Sequence, residues 1–160
     1  MNTETVIATK SKTKNPVVGA LNLLLADSYA LMAMSHQAHW NVEGPAFFAL
    51  HRAFQEHYEN LFVAIDEIAE RVRALDAYAL GGLRAYHQES GLEEFPTGSV
   101  AAKDYVAGLV MGHEKALSDA VKLRDSSGES NDLETQDLSI ARITWHQKTL
   151  WMLKSYLKSA

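Results

Sequence analysis

The stretch HWNVEGPAFFALH, residues 39–51, decides how this chain folds. It begins and ends on a histidine and contains Gly44-Pro45, a pair that stops one helix and starts the next. The stretch therefore predicts two antiparallel helices joined by a short turn. His39 and His51 then lie at one height, about 8–9 Å from the turn along their own helices. They are candidates for a shared site, although a lone histidine on an amphipathic helix is more often packed or solvated.

Apolar residues outside this stretch recur at three- and four-residue steps, which predicts four long helices over about 16–42, 45–75, 99–126 and 131–158. The expected starts are Asn15-Pro16 for the first helix, Ser99 for the third, and Asn131 with Glu134 for the fourth. The segment SSGESN is expected to form the loop before the fourth helix.

Residues 76–98 break the helical periodicity with several glycines and one proline. They predict a long crossover with one short helix near 82–88. The chain is therefore expected to be an all-α four-helix bundle with a crossover. Its domain spans residues 16–160, and residues 1–15 form a flexible N-terminal tail.

Composition limits the kind of function. The 160 residues contain no cysteine, so any bound metal must be held by histidine and carboxylate groups. The net charge of -5 argues against a wholly basic nucleic-acid-binding protein. The N-terminal tail, however, carries three lysines, Lys10, Lys12 and Lys14, which make it basic. The alternative is that this segment is only a frayed, solvated terminus. No signal peptide or membrane span is recognisable, so a cytoplasmic location is expected.

A metal site inside the bundle is not expected, because the Glu-x-x-His pairs of di-metal bundles are absent. Asp66 and Glu70 lie four residues apart on one helical face and are candidate metal ligands. The alternative is a solvated face, on which Glu67 pairs with Arg71 and Glu70 pairs with Arg73 or Arg71. His51 is fifteen residues from Asp66 on the same helix, about 22 Å, so one chain cannot bring them together. A two-fold axis near Tyr58 or Glu59 removes this objection, because it places His51 of one chain opposite Asp66 of another.

The segments HWNVEG, GPAFFALH and IDEIAER, in this order and spacing, resemble the Dps family, the DNA-binding proteins from starved cells. The stretch from Asp137 through WHQK to Trp151-Met152-Leu153 is similar to the last helix of that family. The resemblance covers essentially residues 17–158. It implies a ferritin-like four-helix bundle, assembled as a dodecamer around a store of iron.

The resemblance also implies a ferroxidase centre at a two-fold subunit interface, with His39, His51, Asp66 and Glu70 as iron ligands. Trp40 matches a tryptophan beside that centre that is proposed to intercept radicals; as an alternative it is an aromatic residue packed in the interface. Gln55 stands where many members carry an aspartate, and its neutral carbonyl binds a hard cation more weakly. Binding of a second iron is therefore in question. His36 and His57 are expected at the surface or in an interface.

Family pores imply a cation entry at the start of the fourth helix. The acidic residues there are Asp132, Glu134 and Asp137, of which Asp137 matches the family pattern best. Asp132 and Glu134 are also explained as first-turn acids that the helix dipole favours.

The expected function is iron storage and detoxification. Fe(II) would be oxidised by hydrogen peroxide or dioxygen between subunits and stored as Fe(III) in the shell, which protects DNA from oxidative damage. One alternative is a DNA-compacting protein that uses the basic tail and is nucleoid-associated. Another is a helical scaffold whose metal site has decayed.

Overall fold

The computed structural model describes residues 15–158. They form five helices: α1 (Pro16–Asn41), α2 (Phe47–Ala74), α3 (Leu83–Ser90), α4 (Ala102–Glu129) and α5 (Leu133–Leu157). Two hairpins, α1–α2 and α4–α5, pack through contacts between α1 and α4, and the short helix α3 lies against α1. The predicted all-α bundle with a long crossover carrying one short helix is confirmed. The three lysines of the basic tail lie outside the described residues.

The turn between α1 and α2 follows the predicted chemistry. The Val42 N–H donates to the Ala38 carbonyl at 2.9 Å and closes the last turn of α1. Gly44 has a φ of 104°, a backbone conformation that residues with a Cβ rarely adopt. Pro45 lies in the turn itself, so α2 begins at Phe47, slightly later than predicted. The two helices are antiparallel neighbours, as the Gly-Pro pair indicates.

The joint between α4 and α5 differs from prediction. Ala101, and not Ser99, precedes the first residue of α4, and the helix continues to Glu129, through the first four residues of the segment expected to be a loop. Serine hydroxyls in that segment donate to carbonyls of the preceding turn, for example Ser127 Oγ to Leu123 O at 2.7 Å. These internal bonds let serines sit within a helix. Gly128 packs directly against the Gln136 side chain, where a Cβ would collide.

The cap of α5 lies one residue later than the predicted Asn131–Glu134 pair. Asn131 adopts a left-handed φ of 53°, which asparagine tolerates, and Asp132 is the capping residue. The Asp132 carboxylate accepts from the Thr135 N–H at 3.1 Å and from Arg71 Nη2 at 2.7 Å. Although partial burial raises the pKa of Asp132, these bonds hold it below its usual range. Asp132 thus joins the end of α2 to the start of α5.

The core is built mainly on α1, which buries residues on almost every side, among them Leu21, Leu24 and Leu31. Contrary to the sequence-based expectation, α1 is long and apolar enough to cross a membrane by length and composition alone. More than half of that stretch is buried in the bundle. Its apolar character therefore follows from its central position in the fold.

Candidate metal centre

His39 and His51 meet across the α1–α2 turn. Their rings stack with centroids 3.7 Å apart, and each Nδ1 lies 2.8 Å from the backbone carbonyl oxygen of the other residue. Because a carbonyl only accepts, each Nδ1 carries the proton and donates it. The nitrogen that remains for a metal is Nε2, and a histidine that binds a metal through one nitrogen is commonly held in this way through the other. The predicted juxtaposition of the two histidines is confirmed; their role as ligands stays a prediction.

Aromatic side chains surround this pair. The Tyr58 ring meets the His39 ring edge-on, with centroids 5.2 Å apart, and stacks on His36 at 4.2 Å. His36 in turn stacks on Trp40, whose side chain is 69% exposed. Burial, together with the neighbouring His39, lowers the pKa of His36. Sequence analysis missed the contact of Tyr58 with His39, although its position seven residues after His51 places it on the same helical face.

Gln55 lies one helical turn after His51 and forms a hydrogen bond with Glu59, which lies one turn after Gln55. Its Nε2 donates to Glu59 Oε1 at 2.7 Å. A carboxylate only accepts, so the amide nitrogen must face Glu59, and the carbonyl oxygen of Gln55 is left for another partner. Glu59 therefore contacts this position through Gln55.

Asp66 and Glu70 are exposed on α2, and neither forms an ion pair within residues 15–158. The alternative pairings to Arg71 and Arg73 are not formed among the described residues: Arg71 bonds to Asp132 and Thr135, and Arg73 donates to the Ala77 carbonyl. Within the described part of one chain, no three histidine, aspartate or glutamate side chains are grouped closely enough to hold a metal ion. A complete site would need ligands from a second chain.

The outward face of α2 carries all the α2 candidates on one stripe. Steps of three and four residues connect its members, which are Phe48, His51, Gln55, Glu59, Phe62, Asp66 and Glu70. Two of them are large apolar side chains left open to solvent: Phe48 is 82% and Phe62 is 69% exposed. Exposed apolar groups of this size on a regular helix face are typical of a surface that another chain covers.

Three other histidines are buried inside the bundle. His57 from α2, His113 from α4 and His146 from α5 surround Trp145, and His113 Nδ1 lies 2.9 Å from His146 Nδ1. We call these three residues the core histidines. Burial lowers the pKa of His57 to about 4 and that of His146 to about 3, and it lowers the pKa of His113 well below its usual range. All three are therefore neutral at pH 7.

The expectation that His57 lies at the surface or in an interface is wrong. His57 belongs to the buried stripe of α2, together with Phe54, Leu61, Ala64 and Ile68. This spacing was readable in the sequence, since His57 lies three residues after Phe54 and four before Leu61. The apolar periodicity of α2 indicates that position 57 is buried, although histidine is a polar residue that is usually expected at the surface.

The three acids expected to line a pore have different surroundings. Asp132 is bound by Arg71 and Thr135, as a first-turn acid, whereas Glu134 and Asp137 are exposed. A pore at a three-fold axis is formed by three chains, so the pore assignment of Asp137 stays a prediction.

Comparison with known proteins agrees with this architecture. A ferritin-like domain model matches residues 18–160. A low temperature-induced protein of Nostoc sp. is 38% identical over 89% of this chain and 80% of its own, and a DNA protection during starvation protein of Bacillus anthracis is 33% identical over 88% and 96%. The structure of Dps from Vibrio cholerae, described as a ferritin-like diiron-carboxylate protein, has a TM-score of 0.84 at 33% identity and covers 88% of each chain.

These matches define the class of the protein: the chain belongs to the ferritin-like family. Within that family it is a member of the DNA protection during starvation proteins, or Dps. Membership supports, in general terms, a role in iron storage and in the protection of DNA.

Proposed function

We propose that this protein is a ferroxidase that stores iron. Fe(II) binds between two subunits, is oxidised by hydrogen peroxide or dioxygen, and is stored as Fe(III) inside a shell of twelve chains in the cytoplasm. DNA is thereby protected from oxidative damage. The observation that carries the proposal is the reciprocal pair of hydrogen bonds between His39 and His51, which leaves both Nε2 atoms available to a metal.

The donor set suits iron. Two imidazoles and two carboxylates provide the nitrogen and oxygen ligands that Fe(II) accepts, and each imidazole has its Nε2 directed away from the backbone bond made by Nδ1. Asp66 and Glu70 have no cationic partner within the described residues, so binding Fe(II) breaks no ion pair.

The α2 stripe supports a two-fold arrangement. When two copies of α2 pack antiparallel about a point near Tyr58 or Glu59, His51 of one chain lies opposite Asp66 of the other. The exposed Phe48 and Phe62 are then covered. Each of the two identical sites combines His39 and His51 of one subunit with Asp66 and Glu70 of its partner.

The reaction balances when iron is oxidised in pairs. Two Fe(II) ions give two electrons to one hydrogen peroxide molecule, which takes up two protons and becomes two water molecules, so no hydroxyl radical is released. In this proposal Trp40, which is exposed next to this region, donates an electron to a stray oxidant. Glu134 and Asp137 are the freer acids with which a pore would attract Fe(II).

An anaerobic Fe(II) titration followed by stoichiometric peroxide tests the proposal. The ions bound per subunit and the peroxide consumed per iron are counted, and light scattering measures the mass of the assembly. We expect saturable binding, one peroxide for two irons, and a mass near twelve times 17.7 kDa. A monomer, or oxidation no faster than in the doubly substituted variant His51→Ala, Asp66→Ala, would contradict the proposal.

DNA binding is the second candidate function, and the three lysines of the tail favour it. Twelve tails on one shell would contact phosphates at many points. Deletion of residues 1–14 is expected to abolish retention of DNA at low salt. Failure of the intact protein to retain DNA under those conditions would remove this candidate, while leaving iron oxidation untouched.

A further inference from the structure

The bond between Gln55 and Glu59 determines which atom of Gln55 is available to a ligand. The 2.7 Å contact requires the amide nitrogen to point at the Glu59 carboxylate. Without this bond, the half-buried Gln55 side chain could rotate, and its amide could present either end to the surface. Glu59 therefore selects the carbonyl oxygen as the free end of the side chain.

We propose that Glu59 is a positioning residue. It orients the Gln55 carbonyl oxygen toward a second, weaker Fe(II) position next to the one held by His51. This inference rests on the proposed function and specifies the part of the site where the sequence departs from the family pattern. In place of a charged ligand at residue 55, this chain has a neutral ligand whose orientation a carboxylate fixes from one turn away.

Helix geometry separates the roles of the two side chains. Gln55 lies about 6 Å from His51 along the axis, so the two side chains reach a common ion. Glu59 lies about 12 Å from His51, too far to bind that ion. Glu59 consequently acts through Gln55, and its removal changes the second metal position without removing a ligand.

The chemistry of the pair fits this role. A glutamine carbonyl oxygen is a ligand that divalent cations accept in place of a carboxylate. The bond to Glu59 is charge-assisted and polarises the amide, which leaves more negative charge on the oxygen. Second residues that orient a ligand commonly change metal affinity about 10–100-fold when they are removed. For an exposed pair we expect the lower end of that range.

The test is an anaerobic titration of the assembled full-length protein with Co(II), in which calorimetry measures the affinity of each binding equivalent. The first equivalent reports the position held by histidine and carboxylate ligands, and the second reports the position at Gln55. We expect Glu59→Ala to weaken the second equivalent about tenfold and to leave the first unchanged. Glu59→Gln keeps an acceptor for the Gln55 amide without the charge, so its effect is expected to be intermediate. Glu56→Ala is the matched control, since Glu56 is exposed and adjacent.

A double substitution separates orientation from general damage. Gln55→Asp should strengthen the second equivalent, because a carboxylate needs no orientation by a neighbour. In that background Glu59→Ala should cause no loss, since it then removes a like charge one turn away. The inference is overturned if Glu59→Ala weakens both equivalents alike, weakens the second equally in both backgrounds, or has no effect. Absence of even the first equivalent would instead contradict the proposed ferroxidase function, and this inference with it.

Discussion

The two groups of histidines in this bundle are built in opposite ways. His39 and His51 are fixed through Nδ1 to backbone carbonyls, with Nε2 left for a ligand. The core histidines are enclosed, and one ring nitrogen on each has no hydrogen-bond partner within residues 15–158: Nδ1 of His57 and Nε2 of His113 and of His146. The first group is held in place by the backbone and has a ring nitrogen available to a ligand. The second group is enclosed in the core, and its hydrogen bonds are incomplete. A histidine count alone cannot distinguish them.

The difference arises on a single helix. His51 and His57 are six residues apart on α2, which separates them by about 120° around the helix, one on the outward stripe and one among buried apolar residues. The helix face decides whether a histidine can reach a ligand from solvent or is held neutral by burial. The comparison predicts that substitutions in the first group affect chemistry, and that substitutions in the second affect stability.

The largest expected effect is on iron oxidation. The variant carrying His51→Ala and Asp66→Ala removes one ligand from each half of the proposed site. The rate of Fe(II) oxidation by peroxide, measured by stopped-flow absorbance, should fall about 100-fold or more. The matched control is His87→Ala, which removes an exposed histidine on α3 outside the proposed site. An oxidation rate equal to that of the His87→Ala control would show that His51 and Asp66 are not iron ligands.

The next effect is on stability. His113→Ala leaves a cavity in the core and removes the ring that pairs with His146, so the free energy of unfolding should fall by about 2–4 kcal/mol. Urea unfolding measures this change. At a temperature where the variant is folded, its Fe(II) oxidation should stay within about twofold of the native rate. A folded variant with a collapsed oxidation rate would mean that the core histidines take part in the chemistry.

The pH dependence of stability sharpens the comparison. The pKa values of His57 and His146 in the folded chain, about 4 and about 3, lie below the ordinary value of 6.5, so the unfolded chain binds more protons between these limits. Stability from these groups is full above about pH 6.5 and is lost as the pH falls to about 4 for His57 and about 3 for His146. In metal-free protein, His57→Gln should remove up to one proton from that dependence, a slope of at most about 1.4 kcal/mol per pH unit. Urea unfolding at pH 7 and pH 5 measures the slope, and an unchanged slope would contradict the burial argument.

The smallest effect concerns single protons. In metal-free protein, ¹⁵N NMR should find the proton of His39 and of His51 on Nδ1 at neutral pH, since each donates to a carbonyl. Addition of Zn(II), which carries no unpaired electrons, should shift the Nε2 resonances and leave Nδ1 protonated. The opposite tautomer in either residue would remove the hydrogen-bond argument for the metal centre.

Much of the fold was predictable because its signals are local. The cap at Asn15 and the Gly44 turn each act within a few residues, and both were read correctly. The joint between α4 and α5 was misread, because serine and glycine usually end helices, whereas here the hydroxyls bond inside the helix and Gly128 admits Gln136. The intrinsic propensities of serine and glycine favour a loop here, but packing between α4 and α5 keeps the segment helical to Glu129.

The candidate site was predictable only in part, and the reason is physical. The Gly44-Pro45 turn places His39 and His51 at the same distance along their two helices, so their contact could be inferred from the sequence. Asp66 and Glu70 are proposed to contribute to the site from a partner chain, and the predicted pore at Asp137 needs three chains, so one chain tests neither assignment. The hydrogen bond from Gln55 to Glu59 depends on side-chain conformation, which residue spacing allows but does not determine.

The reciprocal bonds of His39 and His51 join residues only twelve positions apart. Contacts so close in sequence form early in folding, because closing a short loop costs little entropy. The α1–α2 hairpin of a newly made chain can therefore hold half of a metal site before that chain meets another. Under the proposed function, tight iron binding begins only when two chains associate. By mass action, iron then favours the associated state, so the supply of the metal promotes assembly of the shell that stores it.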